Sequence, residues 1–402
     1  MTSETNNTFP VGAGATIAEL EADPHPLLAR LRAQEPVSWL PALGGWLVTS
    51  HDLAVRVMRD AAAFTVDDPR FSTARLLGPS MLALDGRAHT RHREPFARPF
   101  RPAQTRERFT AFVAAEVDRL VTSLAPAGRA ELRGELAGPL AVAVVAAALG
   151  LEGVDPATIR SWYGAFVDAV SDITAGRTPS GRADEAHARL RAAVEEAVGP
   201  PGSASLLAEA AHQEEGLSVT EVVANAAVLM FGGIDTTEGM ISNALLHLLG
   251  RPDQLDLVRA EPVRLLPGAI EESLRLEPSA SVVDRYAVRD IRLGGVPVRK
   301  GDLVRVSIAG ANRDPAVFPD PDDFDVRRAN AADHLAFAHG PHFCFGAHLA
   351  RLETRTALEA VLTRLPNLRF APGPAPHAHG LVFRKPRYLR VLWGATAVSS
   401  DM

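Results

Sequence analysis

The chain has 402 residues, of which 47% are hydrophobic and 22% charged, and it carries a net charge of −6 at neutral pH. These proportions describe a globular chain able to bury a large core, and the acidic balance excludes the basic footprint of a nucleic-acid binder. Cys344 is the single cysteine, which excludes an internal disulfide and a multi-cysteine metal site.

Met1 to Thr16 is polar and lacks the basic, apolar and small-residue succession of a secretory signal. Residues 1–24 are expected to form a poorly ordered arm. Residues 25–402 exceed the roughly 250–300 residues at which single cores stop growing. Even so, no Ser/Gly-rich linker or internal repeat divides them, and they read as a single domain. The apolar stretch Leu140–Leu149 falls well short of the ~20 residues of a membrane span. The expectation is therefore a cytoplasmic protein with no membrane partner.

A short helix begins at Leu27–Arg32, and Val37–Ser50 alternates around Gly44-Gly45 as a hairpin does. Helical periodicity dominates from Leu53 to Glu272, with loops expected near 67–79, 178–182 and 199–203. Within it, Arg87, Arg91, Arg93, Arg98, Arg101, Arg106 and Arg108 crowd a segment whose acids are Glu94 and Glu107. Such a run is either a solvated face or a docking surface for an acidic partner. Ser218 and Glu221 form a capping box that opens a helix running to about Gly250, ahead of Pro252. About 31 residues at ~1.5 Å each would carry it across the whole domain. Beyond Asp290 the pattern changes: Ile291–Val296 and Leu303–Val306 read as strands, and Leu381–Leu392 as a terminal β pair. The fold class is mainly α with a smaller β-rich lobe.

Three constellations carry chemistry. Cys344 lies in Phe337-Ala338-His339-Gly340-Pro341-His342-Phe343-Cys344-Phe345-Gly346, a turn flanked by glycines ahead of a helix over 347–365. A sulfur placed where backbone N–H groups converge at a helix start is favoured as thiolate; a buried structural cysteine is the other reading. The long helix contains Gly232-Gly233-Ile234-Asp235-Thr236-Thr237, although mid-helix glycines cost about 1 kcal/mol each relative to alanine. Either the helix bends there with back-bonded threonines, or it widens beside a ligand with an acid and a hydroxyl placed for proton delivery. Glu272 and Arg275 stand at i, i+3 on a helix, a spacing that by itself is weak.

The pattern Phe-x-x-Gly-x-His-x-Cys-x-Gly resembles the haem-binding loop of the cytochrome P450 family. The Gly-Gly-x-Asp-Thr-Thr stretch, about a hundred residues earlier, and the Glu-x-x-Arg between them match that family in order and place. The resemblance runs from about Val37 to the C-terminus. It implies haem b (iron protoporphyrin IX) between the long helix and the cysteine-loop helix. Cys344 is then the iron ligand, Phe337 and Gly346 are loop positions, and Asp235 and Thr236 serve oxygen activation. Glu272 and Arg275 become a structural pair. Its third, basic member is missing, because Asp323 stands at that position; Arg327 or Arg328 is the substitute. His89, Arg93, Arg285 and His342 match the family's propionate cations. Phe231, Gly232, Val282 and Val283 are expected to line the pocket of a mostly apolar small molecule, together with the 70–80 loop.

The implied activity is monooxygenation with O2 by a monomer, with electrons from a ferredoxin and its reductase. Gly12-Ala13-Gly14 goes no further toward a dinucleotide fingerprint, so no flavin or nicotinamide domain is expected. Oxidative coupling and peroxide-driven oxidation are the neighbouring alternatives. Two readings from other classes use the same cysteine. One is a zinc site from His339, His342, Cys344 and His348; the other is a hydrolase with Cys344 as nucleophile.

Overall fold

The structure, a computed structural model, describes residues 8–151, 153–174, 178–199, 206–212 and 216–394. β1 (Val37–Leu40) and β2 (Gly45–Val48) form the expected hairpin, with Val37 opposite Val48. Gly44 closes it at φ 59°, a left-handed conformation that glycine adopts without a Cβ penalty. The other elements that position the site are β3 (Phe64–Thr65), α1 (Gly86–Ala97), α2 (Pro156–Thr174), α3 (Val219–Leu249), α4 (Pro262–Leu276), β4 (Val282–Ala287), β5 (Leu303–Ser307) and α5 (Ala347–Arg364).

The strands assemble in the order β1–β2–β5–β4–β3. β5 runs parallel to β2, placing Trp46 beside Val304, and antiparallel to β4, placing Val283 beside Val306. The buried face carries Val37, Trp46, Val48, Phe64, Val304 and Val306, the apolar positions of each strand. A second, larger core joins the helices around α3.

Several expectations need correction. The segment 67–79 contains a short helix, Ser72–Leu77. Leu381–Leu392 is not one β pair. Lys385–Pro386 pairs with Ala378–His379, whereas Arg390–Leu392 pairs with Arg129–Glu131 and Arg369–Phe370. Positions 200–203 of the expected 199–203 loop lie outside the described residues, as do residues 1–7 of the arm.

From Thr8 onward the arm is packed. Pro10–Ala13 and Ile17–Ala22 are helical, and Thr16 and Glu19 cap the second reciprocally. Phe9 meets Trp46 edge-on at 5.3 Å. The Glu35 carboxylate accepts from the Val11 and Gly12 N–H groups at 2.8 and 3.0 Å, which anchors the first helix through its backbone.

α3 begins with the Ser218/Glu221 capping box. By length and hydropathy it is a helix that would suffice to cross a bilayer, contrary to the expectation that no segment would. Most of that apolar stretch is buried within the protein, as the all-round apolar helix of a large core requires. The helix stays α-helical through Gly232-Gly233, so no break or widening occurs there. The two glycines differ. A Cβ at Gly233 would lie 2.6 Å from Val145 Cγ2 of the helix Gly138–Leu149, whereas one at Gly232 would meet nothing within 4 Å. Gly233→Val is therefore expected to lose about 1–3 kcal/mol by overpacking. Gly232→Ala is expected to gain up to about 1 kcal/mol of helix propensity. Urea midpoints of the two variants check the contrast.

Candidate active site

The cysteine loop is wound by two left-handed residues. Ala338 sits at φ 59° and Gly340 at φ 76°. A Cβ at Gly340 would fall 2.6 Å from the Met58 carbonyl oxygen, so this glycine is required both by conformation and by close approach. The turn brings the Cys344 N–H to the Phe337 carbonyl at 2.9 Å. Gly346 behaves otherwise than expected. It caps α5 at φ −76°, and a Cβ there would lie an ordinary 3.8 Å from Cys344 Sγ, so it leaves space beside the sulfur and makes no tight turn.

Cys344 is exposed along one wall, while protein atoms crowd the rest of its sulfur. Loss of hydration holds the thiol above its usual range. The Gly346 and Ala347 N–H groups and the Arg93 and Arg351 guanidinium groups pull the other way. A metal ion held by the sulfur would settle this balance in favour of the thiolate.

The four expected propionate cations separate into two kinds. Arg93 donates to the Phe343 carbonyl at 2.5 Å and lies over the Phe345 ring at 5.1 Å, so in this structure it serves the loop. His342 Nε2 meets Asp85 Oδ1 at 2.9 Å. Against the burial that works to raise it, bonds from His342, Thr65 and the Val66 N–H hold the Asp85 carboxyl well below the usual carboxylate range. His89 stacks on His342 with ring centroids 4.3 Å apart, yet its Nε2 is buried with no hydrogen-bond partner. Burial, with His342 and Arg93 nearby, lowers its pKa to about 4, so it is neutral at neutral pH. Arg285 is 6% exposed and donates to the Asp284 carbonyl, while the Asp284 carboxylate is held bidentate by Arg305 at 2.6 and 2.7 Å. Among the described residues Arg285 has no carboxylate in a salt bridge. A buried guanidinium with no carboxylate in a salt bridge and an unpartnered imidazole nitrogen, both near His342, are the donor set that an anionic cofactor edge satisfies. The site therefore fits haem, which Cys344 would hold through its sulfur.

Asp235 and Thr236 do not face one another. Thr236 is half-buried, and its hydroxyl donates to the Gly232 carbonyl, one turn back. Asp235 is 6% exposed and points to the other side, where its Oδ1 accepts from Tyr163 Oη of α2 and from Lys385 Nζ at 2.5 Å. Lys385 also lies 3.3 Å from Glu238, which pairs with Arg133. Burial, then Asp235, pushes the Tyr163 hydroxyl far above its usual range, so it remains a donor. Neither Tyr163 nor Lys385 was expected here. One signal was available for Lys385: Lys300 and Lys385 are the only lysines in a chain that otherwise uses arginine.

The structural pair forms and acquires a third member. Arg275 binds Glu272 bidentate at 2.7 and 2.8 Å, with both side chains fully buried. Arg328 Nε completes the set at 2.9 Å from Glu272 Oε1, so it is Arg328, and not Arg327, that replaces the missing basic residue. Asp323 takes part through its carbonyl, which accepts from Arg275 at 2.8 Å and from Arg328 at 3.1 Å. The acidic side chain thus needs no place in the cluster.

Of the expected pocket residues, Gly232 is exposed beside open space. The Phe231 ring packs edge-on against Phe383 at 5.0 Å. Val283 packs with the sheet core, and Val282 borders a narrow crevice with Leu28 and Leu47 of the N-terminal region. Within the 70–80 segment, Leu76 lines a recess of about 300 Å³ with Phe166 of α2, His187 and Arg191. Arg91, within the arginine-rich segment, is committed to Glu221 at 2.7 Å and to the Gly216 carbonyl, whereas Arg98 and Arg101 are exposed. Among the described residues no three His, Cys, Asp or Glu side chains converge on a metal position, so the zinc reading lacks its ligand set. Two of the three histidines in that reading are engaged elsewhere, His339 with the Gly340 N–H and His342 with Asp85.

A helical protein with a small mixed sheet, a cysteine loop, and a buried arginine and a neutral imidazole available to an anionic ring edge points to a haem-thiolate enzyme. The family model for cytochrome P450 matches residues 202–368. The cytochrome P450 monooxygenase PikC of Streptomyces venezuelae is 38% identical over 393 residues, covering 92% of each chain. Nocardicin C N-oxygenase of Nocardia uniformis subsp. tsuyamanensis is 35% identical, covering 98% of this chain and all of that one. The crystal structure of CalO2 superposes with a TM-score of 0.85 at 30% identity, covering 94% of this chain and 99% of its own. The chain belongs to the cytochrome P450 family and is a haem-dependent monooxygenase of the bacterial kind. Cys344→Ser is expected to abolish the strongly red-shifted Soret band of the reduced carbonyl complex. Retention of that band would exclude Cys344 as the ligand.

Proposed function

We propose that this chain inserts one oxygen atom of O2 into a mostly apolar intermediate of specialised metabolism. In this reading it is a cytoplasmic monomer supplied with electrons by a separate ferredoxin and reductase. Relatives named for natural-product oxygenation, such as nocardicin C N-oxygenase, support the substrate class.

When bound, haem supplies the reductive activation of oxygen and the oxygen transfer itself. Cys344 would hold it as a thiolate ligand, and Arg285 and His89 would donate to its propionates. Phe337 fixes the sulfur through the backbone. The observation that carries the proton-delivery part is the split between Thr236 and Asp235. Thr236 lies beside the open space at Gly232, where its hydroxyl can hold a water. Both direct contacts to Asp235 fall on Oδ1, from Tyr163 and Lys385. That pairing leaves Oδ2 as the oxygen placed to pass a proton on.

Thr236→Ala is expected to keep haem content and substrate binding while diverting reducing equivalents to hydrogen peroxide. Asp235→Asn should slow turnover with less leakage, because the amide preserves hydrogen bonds but relays protons poorly. Product formed per NAD(P)H consumed checks both, and unchanged coupling in Thr236→Ala would mean that the substrate brings its own hydroxyl.

Arg98 and Arg101 are proposed to help dock the acidic ferredoxin, since the Arg101 contact to Glu94 at 3.2 Å is a solvent-exposed one; Arg91 is withdrawn because a part-buried, bidentate bond to Glu221 holds it. Charge reversal at both should slow ferredoxin-dependent reduction, and added salt should slow the wild type, since exposed charges are screened within ~8–10 Å at physiological ionic strength. Rates indifferent to both changes would move the docking face elsewhere.

A further inference from the structure

Two guanidinium–phenyl contacts flank Cys344, and one of them has a counter-charge with no role so far. The Arg351 guanidinium lies 4.4 Å from the centre of the Phe337 ring. Its Nε and Nη2 donate to Glu271 Oε1 and Oε2 at 2.6 and 2.7 Å, a bidentate pair. His334 Nε2 lies 3.2 Å from the same carboxylate, and its ring stands 5.8 Å from Phe337. Phe337 in turn accepts the Cys344 N–H. A line of contacts therefore runs from α4 through Glu271, Arg351 and Phe337 to the backbone of the sulfur-bearing residue. Glu271 is adjacent to Glu272 in sequence yet belongs to a different cluster.

The pair is only partly screened, with the Arg351 side chain 32% exposed and Glu271 18% exposed. Arg351 stands in the early turns of the helix that follows Cys344, and its guanidinium covers the ring of the residue whose carbonyl holds the Cys344 N–H, so its charge sits on the cysteine side of the site. The Glu271 carboxyl meets the opposing effect of burial, but Arg351 and His334 lower it to about 2, so it is ionised at neutral pH.

We propose that Glu271 and Arg351 form an electrostatic pair that sets the ferric/ferrous reduction potential. Arg351 acts as a positioning residue that presents a positive charge beside Cys344, and Glu271 sets how much of that charge reaches the sulfur. The proposal rests on Cys344 being the haem ligand. Reduction transfers one electron from an external donor to the ferric iron and breaks no bond, so it adds one negative charge next to the thiolate. A nearby cation favours that addition and a nearby anion opposes it.

The two partners should therefore have opposite effects. A scaffolding contact would not behave in this way, because either substitution breaks the same ion pair. The test is spectroelectrochemical titration of the haem-loaded wild type, Arg351→Gln, Glu271→Gln and Arg351→Lys. The expected result is a lowered midpoint potential in Arg351→Gln, a raised one in Glu271→Gln, and a value near wild type in Arg351→Lys. Shifts of the same sign in the two glutamine variants, or no shift, would overturn the proposal. So would Arg351→Lys moving as far as Arg351→Gln, or loss of thiolate ligation in every Arg351 variant, since either makes the contact purely mechanical. A wild type that shows no thiolate-ligated haem would overturn the haem-thiolate reading itself, which is a separate failure visible before any variant is measured.

Discussion

Glu272 is fully buried, and its carboxylate accepts from Arg275, from Arg328 and from the Asp325 backbone N–H. Two buried charges and their companion are costly to desolvate, and an ion pair in a protein interior is stable only when every remaining donor finds an acceptor. Here they do. Arg275 passes its other N–H groups to the carbonyls of Asn312, Pro321 and Asp323, and Arg328 reaches those of Pro319 and Asp320. The long irregular segment after β5 has little secondary structure to satisfy its own backbone, so the arginines do it. Asn312 extends the arrangement by accepting the Leu335 N–H at 2.7 Å, two residues before Phe337. The cysteine loop is thereby suspended from α4 through side chains.

α3 shows how one helix separates two environments. Successive residues point about 100° apart, so Thr236 can border the space at Gly232 while Asp235 and Glu238 face a balanced set of Lys385, Arg133 and the Tyr163 hydroxyl. The Gly232-Gly233 step, which looks from the sequence like a weak point, serves two unrelated requirements. Gly233 admits Val145 from the neighbouring helix, and Gly232 keeps the opposite side open.

Much of the site is legible in the sequence because it depends on scarce residue types at short, fixed spacings. Cys344 is unique in the chain, Glu272 and Arg275 are one helical turn apart, and Ser218 with Glu221 marks a helix start. What the sequence conceals is pairing across long separations. The partner of Asp235 lies 150 residues away, that of Glu271 lies 80 away, and β2 finds β5 across most of the chain. No local periodicity encodes those meetings. The same limit explains why Arg93 and His342 are found on other partners. An arginine or histidine has several geometrically acceptable acceptors, and only the assembled fold selects among them.

The segment around Leu20 to His25 is tied to the segment around Gly380 to Arg384 more closely than the polar N-terminal sequence suggests. The buried Arg384 guanidinium donates to the Leu20, Glu21 and Gly380 carbonyls, and the Gly380 N–H returns to Glu21. His25 and Arg384 also share the Glu277 carboxylate. The next residue is Lys385. A polypeptide trimmed to begin at residue 25 would leave Arg384 short of its acceptors and loosen the hairpin that delivers the ammonium group to Asp235. Heterogeneous N-terminal processing of this enzyme would then surface as variable coupling efficiency between preparations with the same haem content, a defect easily misread as poor substrate fit.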